Sequence, residues 1–557
     1  MDAYSIDPDS LADAYAAASS RLANLRFAHA LWNRQLDVWT RDAEVQKKIA
    51  HRLGWLGALD FVTPQLSRLT AFAEAVRTSG VSQVVLLGMG GSSLAPEVMR
   101  QVFGVRDGYP RFRMLDSVDP DAVRTAMEQA DSSLFVLASK SGTTIEPNVM
   151  AAEAMRRLRA AGITEPGSRF VAITDEGTAL HRRAIEERFR DVFVNPADIG
   201  GRYSALSFFG IVPAALMGID VERMLALARV MESACRTDAV EANPGLALGA
   251  LMAAGASNGR DKLTLLVPDR LASFGLWVEQ LVAESTGKHG KGVVPITGEP
   301  ASAQYGDDRV AVIVRLAGDP SPAVRLDDSN LPTATIDMPE VAALGAEFLR
   351  WEIATAAAGV LMDINPFDEP NVQQAKDATR ALLDVYTQQK RLPMPEPTAS
   401  IKGARLATSR AVDETQPGAS PEAFLQVIGK GDYFCLLAYL PADAEDFAAA
   451  LQALREGVAV KCGCATMFGY GPRYLHSTGQ LHKGGANNGV FIVITADATE
   501  DLAIPGEPFT FGVLELAQGV GDFQSLDRTG RRALHVHLRI RDPQLLREVS
   551  QRLLAGG

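Results

Sequence analysis

The chain has 557 residues, of which 47% are hydrophobic and 22% charged, a balance typical of a globular protein with several domains. Its net charge of −12 argues against general nucleic-acid binding, which needs a basic face. Any anionic ligand must therefore be held by local positive groups.

The N-terminus carries acidic residues where a signal peptide needs a basic region and an apolar core. No uninterrupted apolar run reaches the length needed to span a membrane, so we expect a cytoplasmic protein without a membrane partner. The cysteines are too few for a disulfide framework in a chain of this size, and we expect them to be reduced. They are Cys235, Cys435, Cys462 and Cys464.

The spacing of apolar residues predicts an α/β fold. Residues 1–60 show helical spacing and are predicted to form an N-terminal helical arm. Over 61–225 and again over 226–390, short apolar runs alternate with helical patterns, which indicates two doubly wound parallel sheets. Residues 391–421 contain five prolines and little periodicity and are predicted to be a linker. Residues 422–557 hold few strands, so we expect this segment to complete the second sheet or to dock on that domain.

The stretch 134–147, LFVLASKSGTTIEP, places an apolar run before a hydroxyl-rich loop and the start of a helix. Such a loop surrounds the positive end of a helix dipole with hydroxyls and backbone N–H groups, which predicts a phosphate cradle. It is not a P-loop, because no Gly-Lys-Ser/Thr follows at Walker spacing. The alternative is that these Ser and Thr side chains cap their own helix.

A second loop of this kind follows the apolar run in residues 84–99, VVLLGMGGSSLAPEVM. Glycines allow a ligand to approach the backbone closely. The dinucleotide fingerprint Gly-x-Gly-x-x-Gly fails here, because Ser93 stands in place of its third glycine. Two hydroxyl- and glycine-rich loops at the carboxyl ends of strands fit a sugar phosphate better than a dinucleotide.

Two charged residues further along are candidates for chemistry. Arg202 follows two glycines in GGRYSALS, where its guanidinium could hold an anion or a developing oxyanion, or simply pair with a surface acid. Glu284 ends an apolar helical run, where partial burial would raise its pKa toward the range useful to a general base. Glu279, five residues earlier, is expected to face another side as an ordinary solvated glutamate.

Lysine and histidine candidates follow. Lys376 lies in NPFDEPNVQQAK and could act near a sugar oxygen, although most helix lysines are simply solvated. His476 and His482 lie among Ser, Thr, Gln and Gly in RYLHSTGQLHKGG, and histidine suits proton transfer near neutral pH. A zinc site of these histidines with the upstream Cys-x-Cys pair is disfavoured by its spacing. His535 and His537 share one strand face and are expected to be a satisfied or solvent-facing pair rather than metal ligands.

Taken together, these motifs resemble the glucose-6-phosphate isomerase family of the sugar isomerase (SIS) superfamily. The tail segments GDYFCLLAYL and LHSTGQLHKGG look most like the isomerase half of bacterial transaldolase/glucose-6-phosphate isomerase fusions, although no transaldolase half is visible. The resemblance implies two SIS-type, flavodoxin-like parallel-sheet domains with the helical arm and a C-terminal α/β extension. Its most specific motifs, in the family's order, are GMGGSS, ASKSGTTIEP, GGRYS, ESTGK and NPFDEPNVQQAK.

The resemblance also implies roles for the candidate residues. Glu284 would shuttle a proton between C2 and C1, Arg202 would stabilise the enediolate, and Lys376 would assist at the ring oxygen. A histidine would open the sugar ring, and either His476 or His482 could be that residue. The implied phosphate and substrate loops contain Gly91, Ser92, Ser139, Ser141, Thr143 and Thr144. The reaction needs no metal or organic cofactor, and the family implies a homodimer in which the histidine could reach a neighbour's site.

Three features depart from the family pattern. The histidine segment follows the lysine motif by about a hundred residues instead of preceding it, Gln374 stands where the family usually has Glu, and Glu369 where Gln is usual. Two alternatives to glucose-6-phosphate isomerisation stay open: an SIS isomerase that also accepts mannose 6-phosphate, and a sugar-phosphate sensor without chemistry. A sensor would not need Arg202, Glu284 and Lys376 together.

Overall fold

The computed structural model describes residues 3–300, 305–322 and 331–556. In these residues the strands form three separate sheets, two of five strands and one of six. In chain order, the strands are β1 (Ala3–Asp7), β2 (Gln83–Leu87), β3 (Arg111–Leu115), β4 (Ser133–Ala138), β5 (Phe170–Asp175), β6 (Asp191–Asn195), β7 (Lys262–Leu266), β8 (Val294–Thr297), β9 (Arg309–Leu316), β10 (Thr333–Met338), β11 (Ala399–Ile401), β12 (Ala404–Thr408), β13 (Tyr433–Tyr439), β14 (Ala465–Tyr470), β15 (Gly489–Ala496) and β16 (Arg532–Leu538).

The helices lie between the strands and before the first sheet. They are α1 (Ala12–Asn24), α2 (Phe27–Trp32), α3 (Ala43–Ala50), α4 (Ala58–Val62), α5 (Leu66–Arg77), α6 (Leu94–Phe103), α7 (Pro120–Ala126), α8 (Ile145–Ala160), α9 (Ala179–Glu186), α10 (Phe208–Leu216), α11 (Val221–Ala234), α12 (Pro244–Ser257), α13 (Phe274–Thr286), α14 (Leu344–Leu361), α15 (Val372–Gln389), α16 (Arg410–Thr415), α17 (Glu445–Cys462), α18 (Gly479–Gly484), α19 (Phe511–Arg528) and α20 (Pro543–Ala555). In the part of the chain that is described, no helix combines the length and apolar character needed to cross a bilayer.

The first sheet has the order β3-β2-β4-β5-β6, and all its strands are parallel. Alternate residues of β2 face two different cores: Val84 and Leu86 pack on one side, Val85 and Leu87 on the other. Burial on both faces is typical of a parallel sheet that helices cover on both sides. This confirms the predicted doubly wound α/β arrangement.

The second sheet has the order β1-β10-β9-β7-β8, parallel except for β1, which pairs antiparallel with β10. The segment predicted as a purely helical arm therefore begins with a strand. β1 lies at the sheet edge, and none of its residues is fully buried. Because its sequence, AYSID, carries no apolar run, periodicity could not reveal it.

The third sheet has the order β11-β12-β16-β15-β13-β14. Of the two predicted alternatives for the tail, completion of the second sheet is excluded, because these six strands pair only with one another, whereas docking on that domain agrees with the contacts described below. The prediction of a linker over 391–421 is also wrong in part, since this stretch contains β11, β12 and α16. The two short strands form an antiparallel edge whose partner, β16, is more than a hundred residues away. We call residues 391–556 the C-terminal unit.

The C-terminal unit packs on both preceding sheets. Arg473 forms two hydrogen bonds with Asp116, after β3 of the first sheet, at 2.7 and 2.8 Å. Arg455 donates to the carbonyl oxygens of Thr297 and Gly298, at the end of β8 of the second sheet, at 2.8 and 2.7 Å. The unit therefore spans the junction between the two SIS-type sheets.

Candidate active site

The two predicted ligand loops lie side by side. The glycine-rich loop follows β2, and the hydroxyl-rich loop of residues 139–144 follows β4, which is the direct neighbour of β2 in the sheet. Both loops therefore emerge at the carboxyl edge of the first sheet, where doubly wound folds bind ligands. The structure brings together two segments that are about 50 residues apart in the sequence.

The glycine loop contacts the turn that carries Arg202. A Cβ atom placed on Gly91 would lie 2.1 Å from the carbonyl oxygen of Gly201, so only glycine allows the two backbones to approach this closely. Ser204 strengthens the contact by donating its hydroxyl to the Gly91 carbonyl at 3.2 Å. This packing fixes the position of Arg202 beside the first loop.

Arg202 is buried, with 4% of its surface exposed. Its Nε donates to Ser285 Oγ at 2.8 Å, and its Nη2 donates to the carbonyl oxygens of Pro366 and Asp368 at 2.9 and 3.0 Å. Its Nη1 donates to Glu369 Oε2 at 3.0 Å. Arg202 is therefore a fixed internal positive charge, and the alternative of a surface arginine is excluded.

Glu284 lies in the last turn of α13, next to this charge. Its Oε1 is 3.2 Å from Arg202 Nη1, whereas its buried Oε2 has no hydrogen-bond partner among the described residues. Burial raises the pKa of Glu284 to about 7, against the lowering effect of Arg202 and with the support of the nearby Glu369 charge. A carboxylate with a free oxygen and a pKa near neutral is suited to accept and return a proton.

Glu279, on the same helix, differs from the expectation. It is buried, and it accepts a hydrogen bond from Thr297 Oγ1 at 2.7 Å. Burial raises its pKa to about 7 as well. The prediction of a solvated glutamate is wrong because α13 is covered on nearly all sides, which its sequence pattern does not show. Glu279 does not line the cleft described next.

Two adjoining cavities form a cleft between these elements. The inner cavity, of about 180 Å³, holds Glu284 and Arg202, together with Gly91 and Lys140 from the two loops. The outer cavity, of about 380 Å³, includes Thr143, Thr144, Glu146 and Gln518 in its wall. Three residues line both cavities: Val372, Lys376 and His476. The hydroxyl loop and the candidate base therefore open onto one cleft, as one sugar-phosphate site requires.

The hydroxyl loop does not serve as a cap for its own helix. Thr144 is the N-cap residue of α8, but its side chain makes no hydrogen bond to the first turn. Ser141 and Thr143 instead bond each other at 2.8 Å between their hydroxyl oxygens. Ser139 is buried, and its hydroxyl accepts a hydrogen bond from the Gly142 N–H at 3.1 Å. Ser139 therefore stabilises the turn of the loop from its buried side.

The predicted phosphate residues thus take different positions. Gly91, Thr143 and Thr144 line the cleft as described, whereas Ser92, Ser139 and Ser141 are not part of its wall. Lys140 lines the inner cavity and contacts Asp175 Oδ2 at 2.5 Å. The cleft therefore offers one lysine and two threonine hydroxyls close to the N-terminus of α8, where the helix dipole favours an anion.

The two candidate histidines lie in different surroundings. His476 lines both cavities, and its Nε2 is 2.9 Å from Glu146 Oε1. His482 is buried outside the cleft with its Nε2 3.7 Å from Cys435 Sγ, and burial, with the charge of Lys483, lowers its pKa well below the ordinary value. The structure therefore removes His482 from the candidate residues and retains His476.

Glu146 is a site residue to which the sequence analysis gave no role. It is buried and accepts hydrogen bonds from Gln518 Nε2 at 2.7 Å and from His476. Burial alone would raise the pKa of Glu146, but the charge and hydrogen bond of His476 hold it below the ordinary value. Its place after the hydroxyl loop was visible in the sequence, whereas its histidine partner 330 residues away was not.

Lys376 extends from α15 into the wall of both cavities. The loop that precedes α15 is held in place by Lys288, which is fully buried. Lys288 Nζ donates to the Asn365 carbonyl at 2.8 Å and to Asp368 Oδ1 at 2.7 Å. Burial and the charge of Arg202 lower the pKa of Lys288 to about 8. This lysine thus fixes the loop whose backbone and Glu369 surround Arg202.

The remaining histidines and cysteines do not form a metal site in the described residues, where no group of three His, Cys, Asp or Glu side chains is placed to hold an ion. His535 and His537 are both buried and both hydrogen-bond Thr495 Oγ1, at 2.9 and 3.0 Å. This confirms the expectation of a satisfied pair. The cysteines are free thiols.

Comparison with known proteins relates this geometry to one family. The family model for phosphoglucose isomerase matches residues 61–308. The glucose-6-phosphate isomerase of Synechococcus sp. strain JA-3-3Ab is 30% identical over 361 residues, which cover 55% of this chain and 67% of that protein. The glucose-6-phosphate isomerase of Citrifermentans bemidjiense is 27% identical over 408 residues, or 63% of this chain and 77% of that protein.

Solved structures share the fold at lower identity. A hypothetical protein from Thermus thermophilus, TT0462, aligns with a TM-score of 0.57 and 24% identity over 68% of this chain and 99% of its own. A glucose-6-phosphate isomerase from Chlamydia trachomatis aligns with a TM-score of 0.51 and 20% identity over 65% of this chain and 78% of its own. The sequence relatives and the shared fold lead to one conclusion: the chain belongs to the glucose-6-phosphate isomerase family and is a sugar-phosphate isomerase.

Proposed function

We propose that this enzyme interconverts glucose 6-phosphate and fructose 6-phosphate through an enediolate, with Glu284 as the base. The observation that carries the proposal is the pairing of Glu284 with Arg202 at 3.2 Å inside a cleft that also reaches the hydroxyl loop. The relatives that bear the name glucose-6-phosphate isomerase support glucose 6-phosphate as the aldose, and fructose 6-phosphate is the ketose that isomerisation between C1 and C2 gives.

Binding begins with the phosphate group. Lys140, whose ammonium also pairs with Asp175, and the hydroxyls of Thr143 and Thr144 lie near the N-terminus of α8, where the helix dipole favours an anion. Because the phosphate is remote from C1 and C2, this contact contributes to positioning and not to the bonds that change. It would place the reacting carbons in the inner cavity, next to Glu284.

Ring opening requires a proton on the ring oxygen and removal of the proton from the hydroxyl at C1. The imidazole of His476 lies in the wall that the two cavities share, and the Glu146 carboxylate 2.9 Å from its Nε2 orients the ring. His476 donates a proton to the ring oxygen as the C1–O bond of the ring breaks, and the proton of the C1 hydroxyl passes to solvent water, from which the imidazole regains a proton. The ammonium of Lys376, in the same wall, stabilises the negative charge that develops there.

In the isomerisation step Glu284 removes the proton from C2 of the open-chain aldose. The electron pair forms the C1–C2 double bond, and negative charge develops on the carbonyl oxygen at C1. Protonation makes Glu284 neutral, so Glu284 no longer compensates the positive charge of Arg202. That charge then stabilises the negative enediolate. Glu284 then returns the proton to C1, while a proton moves from the oxygen at C2 to that at C1, which completes the ketose.

The proposal is tested by a coupled assay in both directions, run in the presence of EDTA. We expect turnover of glucose 6-phosphate and fructose 6-phosphate that EDTA does not reduce. Parallel assays with mannose 6-phosphate decide whether the enzyme also accepts the C2 epimer. Binding of these phosphates without any turnover would contradict the proposal and favour the sensor function.

A further inference from the structure

The N-terminal arm contributes a second arginine to the inner cavity. Arg52 lines this cavity together with Arg202 and Glu284. We propose that Arg52 is a substrate-binding residue, whose guanidinium contacts the reacting end of the sugar phosphate and offsets the negative charge of Glu369. The proposal rests on the proposed function, because it concerns the enediolate that forms in this cavity.

The backbone around Arg52 is fixed against the turn of residues 198–202. The residue that follows Arg52 forms an antiparallel bridge with this turn. The N–H of Gly54 donates to the Asp198 carbonyl at 2.9 Å. The aliphatic part of the Arg52 side chain packs along the same turn, since a Cβ atom placed on Gly200 would lie 3.4 Å from Arg52 Cδ. The arm therefore holds this side chain beside the turn that carries the buried guanidinium.

The guanidinium of Arg52 has donors available for a ligand. Its Nη1 donates to the carbonyl of the neighbouring His51 at 3.3 Å, the one hydrogen bond of this group within the described residues. Its Nη2 is 3.9 Å from Glu369 Oε1, beyond hydrogen-bonding distance. Arg202, by contrast, bonds the protein through all three of its nitrogens. Because a guanidinium carries five N–H donors, Arg52 can add contacts to a bound sugar phosphate.

The charges beside this group alternate in sign. Glu369 accepts from Arg202 Nη1 at 3.0 Å through Oε2, and its Oε1 faces Arg52, so one carboxylate lies between two guanidinium groups. Arg202 Nη1 is also 3.2 Å from Glu284. Two carboxylates therefore share the positive charge of Arg202, and Arg52 is the cation on the far side of Glu369.

The enediolate needs this further charge. When Glu284 takes the proton from C2 it becomes neutral, but Glu369 keeps its hydrogen bond to Arg202 and offsets part of that positive charge. Arg52 lies in the wall of the same cavity. Two guanidinium groups and one carboxylate then leave one positive charge to stabilise the negative enediolate.

The lysines of the cavity wall have other contacts or tasks. Lys140 is 2.5 Å from Asp175 Oδ2 and donates to the Ala197 carbonyl at 2.6 Å. Lys376 is assigned above to the ring oxygen. The charge of Arg52 also reaches the first of these pairs: burial raises the pKa of Asp175, and Lys140 and Arg52 oppose this rise. Arg52 therefore lies near the hydroxyl loop as well as near the Arg202 turn.

Two ligands that differ in one group test the contact. Arabinonate 5-phosphate has a planar carboxylate at the position where the enediolate carries its charge, and arabinitol 5-phosphate has an alcohol instead. Isothermal titration calorimetry measures the binding of both without any turnover. Because a charge-assisted contact is lost, Arg52→Met should weaken arabinonate binding about tenfold or more. The same variant should weaken arabinitol binding less than about twofold, since the phosphate contacts remain.

Lys48→Met is the matched control. Lys48 lies on α3, shortly before Arg52, and both line a neighbouring cavity of about 530 Å³ that does not include Arg202 or Glu284. The control removes a nearby positive charge that does not face the inner cavity, so we expect both affinities to stay unchanged. Equal weakening of the two ligands by Arg52→Met would overturn the inference, because Arg52 would then serve the phosphate or the fold. Unchanged arabinonate binding would overturn it as well.

The offset of Glu369 is tested by combining Arg52→Met with Glu369→Gln, after thermal unfolding has shown that each variant is folded. The glutamine removes the negative charge that Arg52 offsets. The loss of kcat caused by Arg52→Met should therefore be about threefold or more smaller in the Glu369→Gln background than in the wild-type enzyme. Equal losses in both backgrounds would overturn the inference. A wild-type enzyme that binds arabinonate 5-phosphate through Arg52 but does not turn over glucose 6-phosphate would instead contradict the proposed function alone.

Discussion

Replacement of Glu284 by glutamine removes the proposed base and changes little in the shape of the side chain. A positioned general base contributes about 10²- to 10⁴-fold to the rate, so we expect kcat to fall by about that factor. One amide group can still contact Arg202 at the 3.2 Å distance of Oε1, and the phosphate contacts are distant, so KM should stay close to the wild-type value. The assay measures initial rates in both directions at saturating sugar phosphate.

The same variant changes how stability depends on pH. The pKa of Glu284 is raised from its ordinary 4.5 to about 7, so the folded state holds the proton more tightly than the unfolded state. Its stabilising contribution is complete below pH 4.5 and is lost as the pH rises through 7. The loss amounts to about 3 kcal/mol. Glutamine does not ionise, so denaturant unfolding at a series of pH values should show a smaller decline for the variant over this range.

Glu279→Gln is a matched control, because Glu279 lies on the same helix, is buried and has a pKa raised to about 7. We expect the control to show the same reduced decline of stability with pH but to keep the wild-type kcat, since Glu279 lies outside the cleft. A Glu284→Gln enzyme with more than about a tenth of the wild-type kcat would refute the assignment of the base. So would an equal loss of kcat in both variants.

Three further predictions concern neighbours of the base. Arg202→Lys should lower kcat by about 10²- to 10³-fold, because lysine cannot reproduce the five-donor fork; near-normal rates would contradict its role at the enediolate. Gly91→Ala should lower the free energy of unfolding in urea by about 1–3 kcal/mol, because the methyl group would collide with the Gly201 carbonyl. Glu146→Gln should reduce kcat by removing the charge beside His476. Since the pKa of Glu146 is lowered in the fold, its stabilising effect is present above its ordinary 4.5 and lost as the pH falls. The Tm deficit of this variant should therefore shrink in acid, and a deficit independent of pH would contradict the pairing.

The parallel strands of the first two sheets and the two ligand loops of the first sheet were predictable because strand, loop and helix follow one another within about 15 residues. Arg202 and Glu284 were identifiable for the same reason: the flanking glycines and the apolar helix are local features. The third sheet was not predictable in this way. Its edge strands are short, and β12 pairs with a strand more than a hundred residues later, so no local pattern marks the partnership.

The choice between the two histidines also required the structure. His476 and His482 are six residues apart in similar surroundings, and only their three-dimensional contacts separate them. The burial of Glu279 also could not be predicted from the local sequence. Its helix, α13, packs against both the second sheet and the C-terminal unit. A distant part of the chain therefore covers a helix face that the local sequence pattern predicts to be exposed to solvent.

The position of Arg473 and His476 late in the chain has a consequence for how the enzyme becomes active during its synthesis. Domains form in order as the ribosome proceeds at about 5–20 residues per second. A nascent chain that has reached the end of α15 holds the base and the guanidinium but not the imidazole, and roughly 150 further residues are needed to finish β16. On the proposed mechanism, the emerging chain therefore lacks its ring-opening histidine and the sheet that carries it for a time on the order of 10 s. If His476 acts as proposed, turnover begins only after the third sheet has been synthesised.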